Sequence, residues 1–436
     1  MKRLMFALSI AIFAVAALAC QTTTTPVAAP TPAPGADAKP TGGGELVIFS
    51  WWTAGGEADG LNELIKFFEA KNPGVKVVNA AVAGGAGTNA KAVLKTRMLG
   101  GDPPGTFQVH GGSELLDGWV KPGHMAPITK LFDDNGWRPH FPAQLLDMVS
   151  ANGEIYAVPS NVHRGNALWY NKAIFDANGL KPPATVDEWL AVCKTLKDKG
   201  VTPLSLASRN KWEVLHLFEN LLVAAGGADF YKDLFAGKIA WTDERVKKAL
   251  TLLKDLLPYV NDNHATMTWD QASGMVQEGK AAMNVMGDWA KGYFEAHQWV
   301  ADKDYGAVAT PGTVGTFFVV TDTFGMPAKA PNPAATLALL QVIGSVEGQA
   351  AFNPKKGSIP ARTDVPMDAF DPIARAIMAD FGKDVLVPSA AHGSAVAESF
   401  VISLNDQLSV FIQDKDVGKS AAALEAEAKD LGVRAP

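Results

Sequence analysis

The chain predicts an α/β fold in two lobes, each a mainly parallel sheet flanked by helices. Two observations carry that expectation. At 436 residues the chain exceeds what one ordinary hydrophobic core can cover, so two lobes are the default. From Glu45 onward, strand-like and helix-like patterns alternate, and a β-α-β-α-β order pairs its strands mainly in parallel. Hydrophobic residues make up 47% and charged residues 19%, as in a globular protein. The net charge is −6 and no Lys/Arg block interrupts the folded part, which argues against nucleic acid as a partner.

Residues 1–19 read as a signal peptide. Lys2-Arg3 form its positive start, Leu4 to Leu18 its apolar run, and Ala17-Leu18-Ala19 a small-x-small cleavage site. The run is short for a membrane span, which needs about 20 apolar residues. Cys20 then resembles the first residue of a bacterial lipoprotein, although Ala17 stands where Leu is usual; plain cleavage before Cys20 is the alternative. Residues 20–44 are a Thr/Pro/Ala-rich stretch ending in Gly42-Gly43-Gly44, too poor in apolar bulk to fold. A tether of that kind favours lipid anchoring through Cys20, placing the protein in the periplasm or on the outer face of the cell membrane. The other cysteine, Cys193, lies in a helical pattern and reads as a small buried hydrophobe.

Leu46–Ser50 alternates into a strand, and Leu61, Leu64, Ile65, Phe67 and Phe68 recur at helical spacing up to Asn72-Pro73-Gly74. Val75–Ala81 is β-branched; Asn89–Leu99 returns to a helix that stops at Gly100-Gly101; Thr106–His110 is a short strand, followed by a helix over Ser113–Val120. The next stretch is richer in helix: Val186–Lys199, with Thr185 as its cap, then Trp212–Ala225, Glu244–Leu257 and Trp269–Glu278. Lys280–Met286 reads as a strand ending at Gly287-Asp288-Trp289. Phe317–Thr321 and Thr323–Met326 are strands, and Ala334–Ile343, Pro372–Phe381 and Ser394–Ile412 are helices. There is no internal repeat.

Trp51-Trp52 stands out at the end of the first strand. Neighbouring strand side chains point to opposite faces, so two adjacent indoles cannot both join one core from a regular strand. Either one is core and the other surface, or the pair leaves the sheet and offers a flat wall to the C–H face of a sugar ring. Ligands of such sheets bind at the carboxyl ends of strands, where Trp51-Trp52 and Gln108/His110 both fall.

Several segments together resemble the extracellular sugar-binding proteins of ABC importers. They are Gly153 to Pro159 followed by Leu168 to Lys172, the stretch Gly179 to Leu190, and Gly279 to Met283 with Gly287-Asp288-Trp289. The chain is most similar to the glucose/galactose-binding members through Phe49 to Trp52, Val82 to Gly87, Arg97 to Pro104, Thr106 to His110, Asn353 to Ser358 and His392-Gly393. The resemblance implies the two-lobed periplasmic-binding-protein fold with sugar held between the lobes. It divides the chain into a first lobe of residues 45–158 and 319–360 and a second of 159–318 and 361–436.

The same resemblance implies a sugar site of Trp51, Trp52, Glu57, Gln108, His110, His163, Trp269, Trp289, Asp322, Lys356 and His392. The bottom-up alternatives are ordinary ones: core packing for Trp269 and Trp289, a turn or cap for Asp322, a solvated surface for Lys356, and a loop for His392. Gln108 and His110, spaced i, i+2, share one strand face. Glu57 follows a loop one residue longer than the family's, which weakens its carry-over, and His163 is an added contact. The implied ligand is a monosaccharide, with glucose ahead of galactose or mannose. The implied partner is the membrane subunits of an ABC permease, with a monomeric receptor and no metal or cofactor.

Other chemistry lacks its motifs. Gly84-Gly85-Ala86-Gly87 is not followed by Lys-Ser/Thr, so it is no P-loop and suits a turn or a close backbone approach to ligand. There is no HExxH, no cysteine-rich metal spacing and no Gly-x-Ser-x-Gly elbow. His216 and Glu219, at i, i+3, read as an ordinary helix face. Two rivals survive: an exported glycosidase using two of Glu57, Asp288, Asp322 and Glu398, and a sensor that reports sugar to a chemoreceptor.

Overall fold

The computed structural model of the chain describes residues 44–434. The expected leader, Cys20 and residues 20–43 lie outside the described residues, and Gly44, expected to end the tether, opens the first strand. Among the described residues no helix is long and apolar enough to cross a membrane.

Two large hydrophobic cores organise the molecule. One gathers side chains from Leu46 to Val162 and again from Phe317 to Ala361, joined by Ile377. The other draws on Leu168 to Val285 and Val387 to Ala428. Within the strand Thr316–Val320, Phe317 and Val319 face the first core while Phe318 faces the second. Period-2 alternation thus lets one strand serve both cores as the chain crosses between them.

The first sheet pairs Gly44–Phe49 in parallel with Val75–Asn79 and with Thr106–His110. Asp322–Pro327 then pairs antiparallel with Thr106–His110, placing Asp322 opposite His110. Ala157–Pro159 lies on the other side of the returning strand. The start of Asp322–Pro327 and the ends of the parallel strands therefore meet at one sheet edge.

In the second core, Thr202–Ser205 pairs in parallel with Ala281–Val285, but Ala167–Asn171 runs antiparallel to both Ala281–Val285 and Tyr305–Ala309. The sheets are mixed, with parallel pairing confined to the strands joined through helices. A third sheet sets Thr316–Val320 between Val385–Pro388 and His163–Arg164.

Most elements fall where the patterns placed them. The helix after the second core's loop starts at Glu398, not Ser394, because Ser389 to Ser394 forms a turn closed by Gly393 N–H to Ala390 O and Ser394 N–H to Ser389 O. Trp212 opens a helix that runs to Phe235, ten residues past the expected end, with Gly227 breaking its geometry. The helix Trp289–Ala296 follows a strand end where only a stop was expected.

Candidate functional site

The strand ends of both cores converge on one cavity of about 350 Å³, counted up to its mouth. It is lined by ten of the eleven expected residues: Trp51, Trp52, Glu57, His110, His163, Trp269, Trp289, Asp322, Lys356 and His392. Gly85, Ala86, Trp212 and Val320 complete it. Gln108 does not line it.

Both paired indoles are buried and both face the cavity. The regular strand ends at Phe49, so the alternation rule no longer separates them. Trp52 packs its other face against Phe324 and Phe352, at centroid distances of 5.6 and 5.3 Å, and the Lys356 ammonium lies 5.3 Å above its ring. Trp51 leans on His110 at 5.0 Å. Gly87 has φ +76°, and a Cβ there would lie 2.9 Å from the Trp51 ring. The glycine run thus supports an indole by close backbone approach.

Asp322 is the electrostatic centre. Its Oδ1 accepts from Gln108 Nε2 at 2.7 Å and its Oδ2 from Asn161 Nδ2 at 2.8 Å. The Asp322 N–H donates to Asn161 Oδ1, and Gln108 Oε1 accepts from Trp51 N–H at 3.1 Å. Gln108 therefore ties the indole wall to the carboxylate with both ends of its amide, from behind the cavity. Burial pushes the Asp322 carboxyl up, but the hydrogen bond from His163 and the charges of Lys356, His163 and His110 hold it well below the usual carboxylate range.

Lys356 ends the helix Val346–Lys356 and reaches Glu57 Oε1 at 3.1 Å and His163 Nε2 at 3.0 Å. Glu57 sits in the first turn of the helix Gly55–Lys71, where the helix dipole suits an anion. Burial nevertheless pushes its carboxyl upward, against the opposing charge of Lys356. On the other side of His163, Nδ1 bonds the buried Asp288, whose second oxygen accepts from Arg164 N–H at 3.1 Å.

The second core's wall is aromatic. Trp289 touches His163, Trp212 and His392, with centroids 5.2, 6.2 and 5.0 Å away. A Cβ on Gly287 would lie 2.1 Å from the Trp289 ring, so only glycine lets that ring lie down across the strand end. Trp212, expected only as the start of a helix, does open it and also lines the cavity, and its buried Nε1–H has no partner among the described residues.

Of the four rival glycosidase carboxylates, only Glu57 and Asp322 line the cavity. Asp288 lies behind His163, and Glu398 is exposed at a helix start. Glu57 and Asp322 do line the cavity, with Lys356 bonded to the first and beside the second. His216 and Glu219, expected on an ordinary helix face, are both fully buried, and with His392 their ligand atoms lie within 4.8 Å of one another. Glu219 is already engaged by the protein's own donors, Ser389 Oγ, Tyr231 Oη and the Ala390 and Ala391 N–H groups.

Next to Trp212, burial pushes the Glu213 carboxyl up to about 7, with Oε2 unpartnered among the described residues. A carboxyl raised on folding takes up a proton, so stability falls as pH rises from about 4.5 to about 7. At about 1.4 kcal/mol per pH unit the cost reaches about 3 kcal/mol above pH 7. Glu213→Gln is expected to raise Tm at pH 8 and leave it nearly unchanged at pH 4; equal effects at both would show that Glu213 is not raised.

The family model of bacterial extracellular solute-binding proteins matches residues 51–350. Over 392 residues the chain is 45% identical to an uncharacterised ABC transporter extracellular-binding protein of Pyrococcus horikoshii, covering 89% of this chain and 88% of that one. It is 35% identical over 394 residues to a probable sugar-binding periplasmic protein of Brucella suis, covering 87% and 91%. Among solved structures, a bacterial solute receptor described by its exclusive preference for β-D-galactopyranose matches with a TM-score of 0.81 at 20% identity, over 89% of this chain and 100% of that one.

Proposed function

Because this chain belongs to the bacterial extracellular solute-binding proteins, we propose that it captures a single hexose, glucose first among the candidates, and hands it to an ABC permease. The family makes it an exported sugar receptor of an ABC importer, not an enzyme. The finer reading rests on one observation: a single cavity carries indoles from both cores and a ring of fixed donors and acceptors.

A hexose offers C–H faces to indoles and hydroxyls to charged groups. Trp51, Trp52, Trp269 and Trp289 would enclose the ring. Asp322, Glu57, Lys356, His110, His163 and His392 would bond its edge, with Gln108 holding Asp322 in place. Discrimination between epimers follows, because a buried polar group that loses its partner costs about 1–3 kcal/mol.

The two cores support lobes of 45–158 with 319–360 and 159–318 with 387–436, while the stretch from Ala361 through the helix Pro372–Phe381, expected in the second lobe, packs on the first core through Ala361, Ile373, Ile377 and Phe381. Acylation of Cys20 would tether a monomer to the membrane, and the residues between Cys20 and the strand beginning at Gly44 would give it reach.

A thermal-shift screen of hexoses, disaccharides and trisaccharides tests the reading. Glucose or a close epimer at a hundred times its Kd is expected to add about 2.7 kcal/mol of stability. A response confined to trisaccharides would overturn it.

A further inference from the structure

The structure assigns a fixed hydrogen-bonding polarity to His392: we propose that Glu219 and Ser389 lock its ring as the Nδ1–H tautomer, so that it meets the sugar only as an acceptor and selects a hydroxyl at that position. The inference rests on the monosaccharide reading above and adds two positioning residues to it.

The argument is a count of protons. Glu219 is fully buried on the helix Trp212–Phe235. Its Oε2 accepts main-chain N–H groups from Ala390 at 2.7 Å and Ala391 at 3.1 Å. Main-chain N–H groups can only donate, and a carboxylate can only accept. Its Oε1 lies 2.7 Å from Ser389 Oγ, so the one hydroxyl hydrogen of Ser389 points at Glu219.

Ser389 then has two lone pairs left. One accepts the His392 main-chain N–H at 3.3 Å. The other faces His392 Nδ1 at 2.9 Å, and with its hydrogen already directed to Glu219, Ser389 can only accept there. Nδ1 must therefore carry the ring proton. Every hydrogen and lone pair of the hydroxyl is accounted for.

A neutral imidazole protonated on Nδ1 has a bare Nε2, which accepts. His392 lines the cavity, and its Nε2 has no bond among the described residues. Geometry also keeps the ring neutral: it lies between Trp212, Trp289, His110 and His216, with centroids 5.5, 5.0, 5.4 and 5.5 Å away. Burial pushes its pKa well below the histidine range, and His110, His216 and Lys91 push the same way against Asp322.

The site thus holds complementary fixed polarities. Lys356 can only donate, and Asp322 and Glu57 as carboxylates can only accept. His392, a ring whose role could switch with its tautomer, is held as an acceptor by Ser389 and, through it, by Glu219, 170 positions from Ser389 along the chain.

Two measurements test this. Long-range 1H–15N spectra of the sugar-free protein with labelled histidine are expected to show His392 with a protonated Nδ1 and a bare Nε2. Ser389→Ala should mix the two tautomers, and Ser389→Thr, which keeps the hydroxyl, should restore one. Glucose analogues with each hydroxyl in turn replaced by fluorine, which cannot donate, form the second. At one position wild type should lose at least about tenfold in affinity, and His392→Ala should remove that penalty. Ser389→Ala should shrink the penalty to about threefold.

A protonated Nε2 in wild type would overturn the proposal, as would a Ser389→Ala variant with unchanged tautomer and unchanged discrimination. Failure of every unmodified hexose to bind would defeat the monosaccharide reading instead, while the sugar-free spectrum would still decide the tautomer.

Discussion

Asp322→Asn is expected to weaken sugar binding at least about tenfold and to lower unliganded stability by about 1–3 kcal/mol, because the donors it strands belong to the protein. The substitution keeps the shape but replaces one acceptor oxygen by an NH₂ group. Both oxygens now face amide donors, Gln108 Nε2 at 2.7 Å and Asn161 Nδ2 at 2.8 Å. Whichever way the new amide turns, one buried donor meets another donor, at a cost of about 1–3 kcal/mol. The charge-assisted bond to a sugar hydroxyl is lost as well. Each 1.4 kcal/mol is a factor of ten, so calorimetry should find the loss easily. Unchanged affinity would remove Asp322 from the site.

The pH dependence separates Asp322 from Glu57. A carboxyl held below its unfolded value contributes stability that is present above the unfolded pKa, near 4, and lost only as pH falls through the depressed folded pKa. Asp322 therefore stays charged through the mildly acidic range. Glu57, pushed upward by burial, takes a proton first and releases its hold on Lys356. Any affinity lost on mild acidification should thus survive in Asp322→Asn and vanish in Glu57→Gln.

The sequence made the sheet edge legible because site residues sit where strands end, and strand ends are marked by changes of period. Trp51-Trp52, His110 and Trp289 all follow apolar runs that stop. What periodicity cannot say is whether a polar side chain meets ligand or protein. Gln108 shares a strand face with His110, yet its amide closes on Trp51 N–H and Asp322. Trp52 lines the cavity, and packing on Phe324 and Phe352 makes it core too, which adjacency alone could not assign to one indole or the other. Trp212 and the Glu219–Ser389–His392 relay join segments far apart in sequence. Nothing local to Trp212 or Glu219 distinguishes them from the helix around them.

Gly292→Val is expected to cut sugar affinity by about tenfold to a hundredfold while leaving the unliganded Tm nearly unchanged. Gly292 lies on the helix Trp289–Ala296, whose Phe294 packs with Trp169 and Tyr305 on the second core's side. A Cβ there would stand 2.5 Å from Lys356 O, on a helix whose Phe352 belongs to the first core. Gly357 meets the same spot from the other side, where a Cβ would lie 2.4 Å from Gly292 N. These are main-chain atoms and cannot turn aside as a side-chain end can. The two helices touch backbone to backbone, and this contact holds the Lys356 ammonium beside Glu57 and His163. A valine would stop the lobes short of that contact, at the cost of overpacking, about 1–3 kcal/mol. In a receptor whose lobes close on sugar, affinity comes only through the closed form, so every increment lost from closure is lost from binding. A sugar-free protein standing open would not make the contact and is expected to melt as before. Calorimetry with a hexose, together with small-angle scattering with and without sugar, reads both halves of the expectation. If the variant binds normally, the glycine pair does not govern closure. If instead its unliganded Tm drops sharply, the contact belongs to the folded core and persists without sugar.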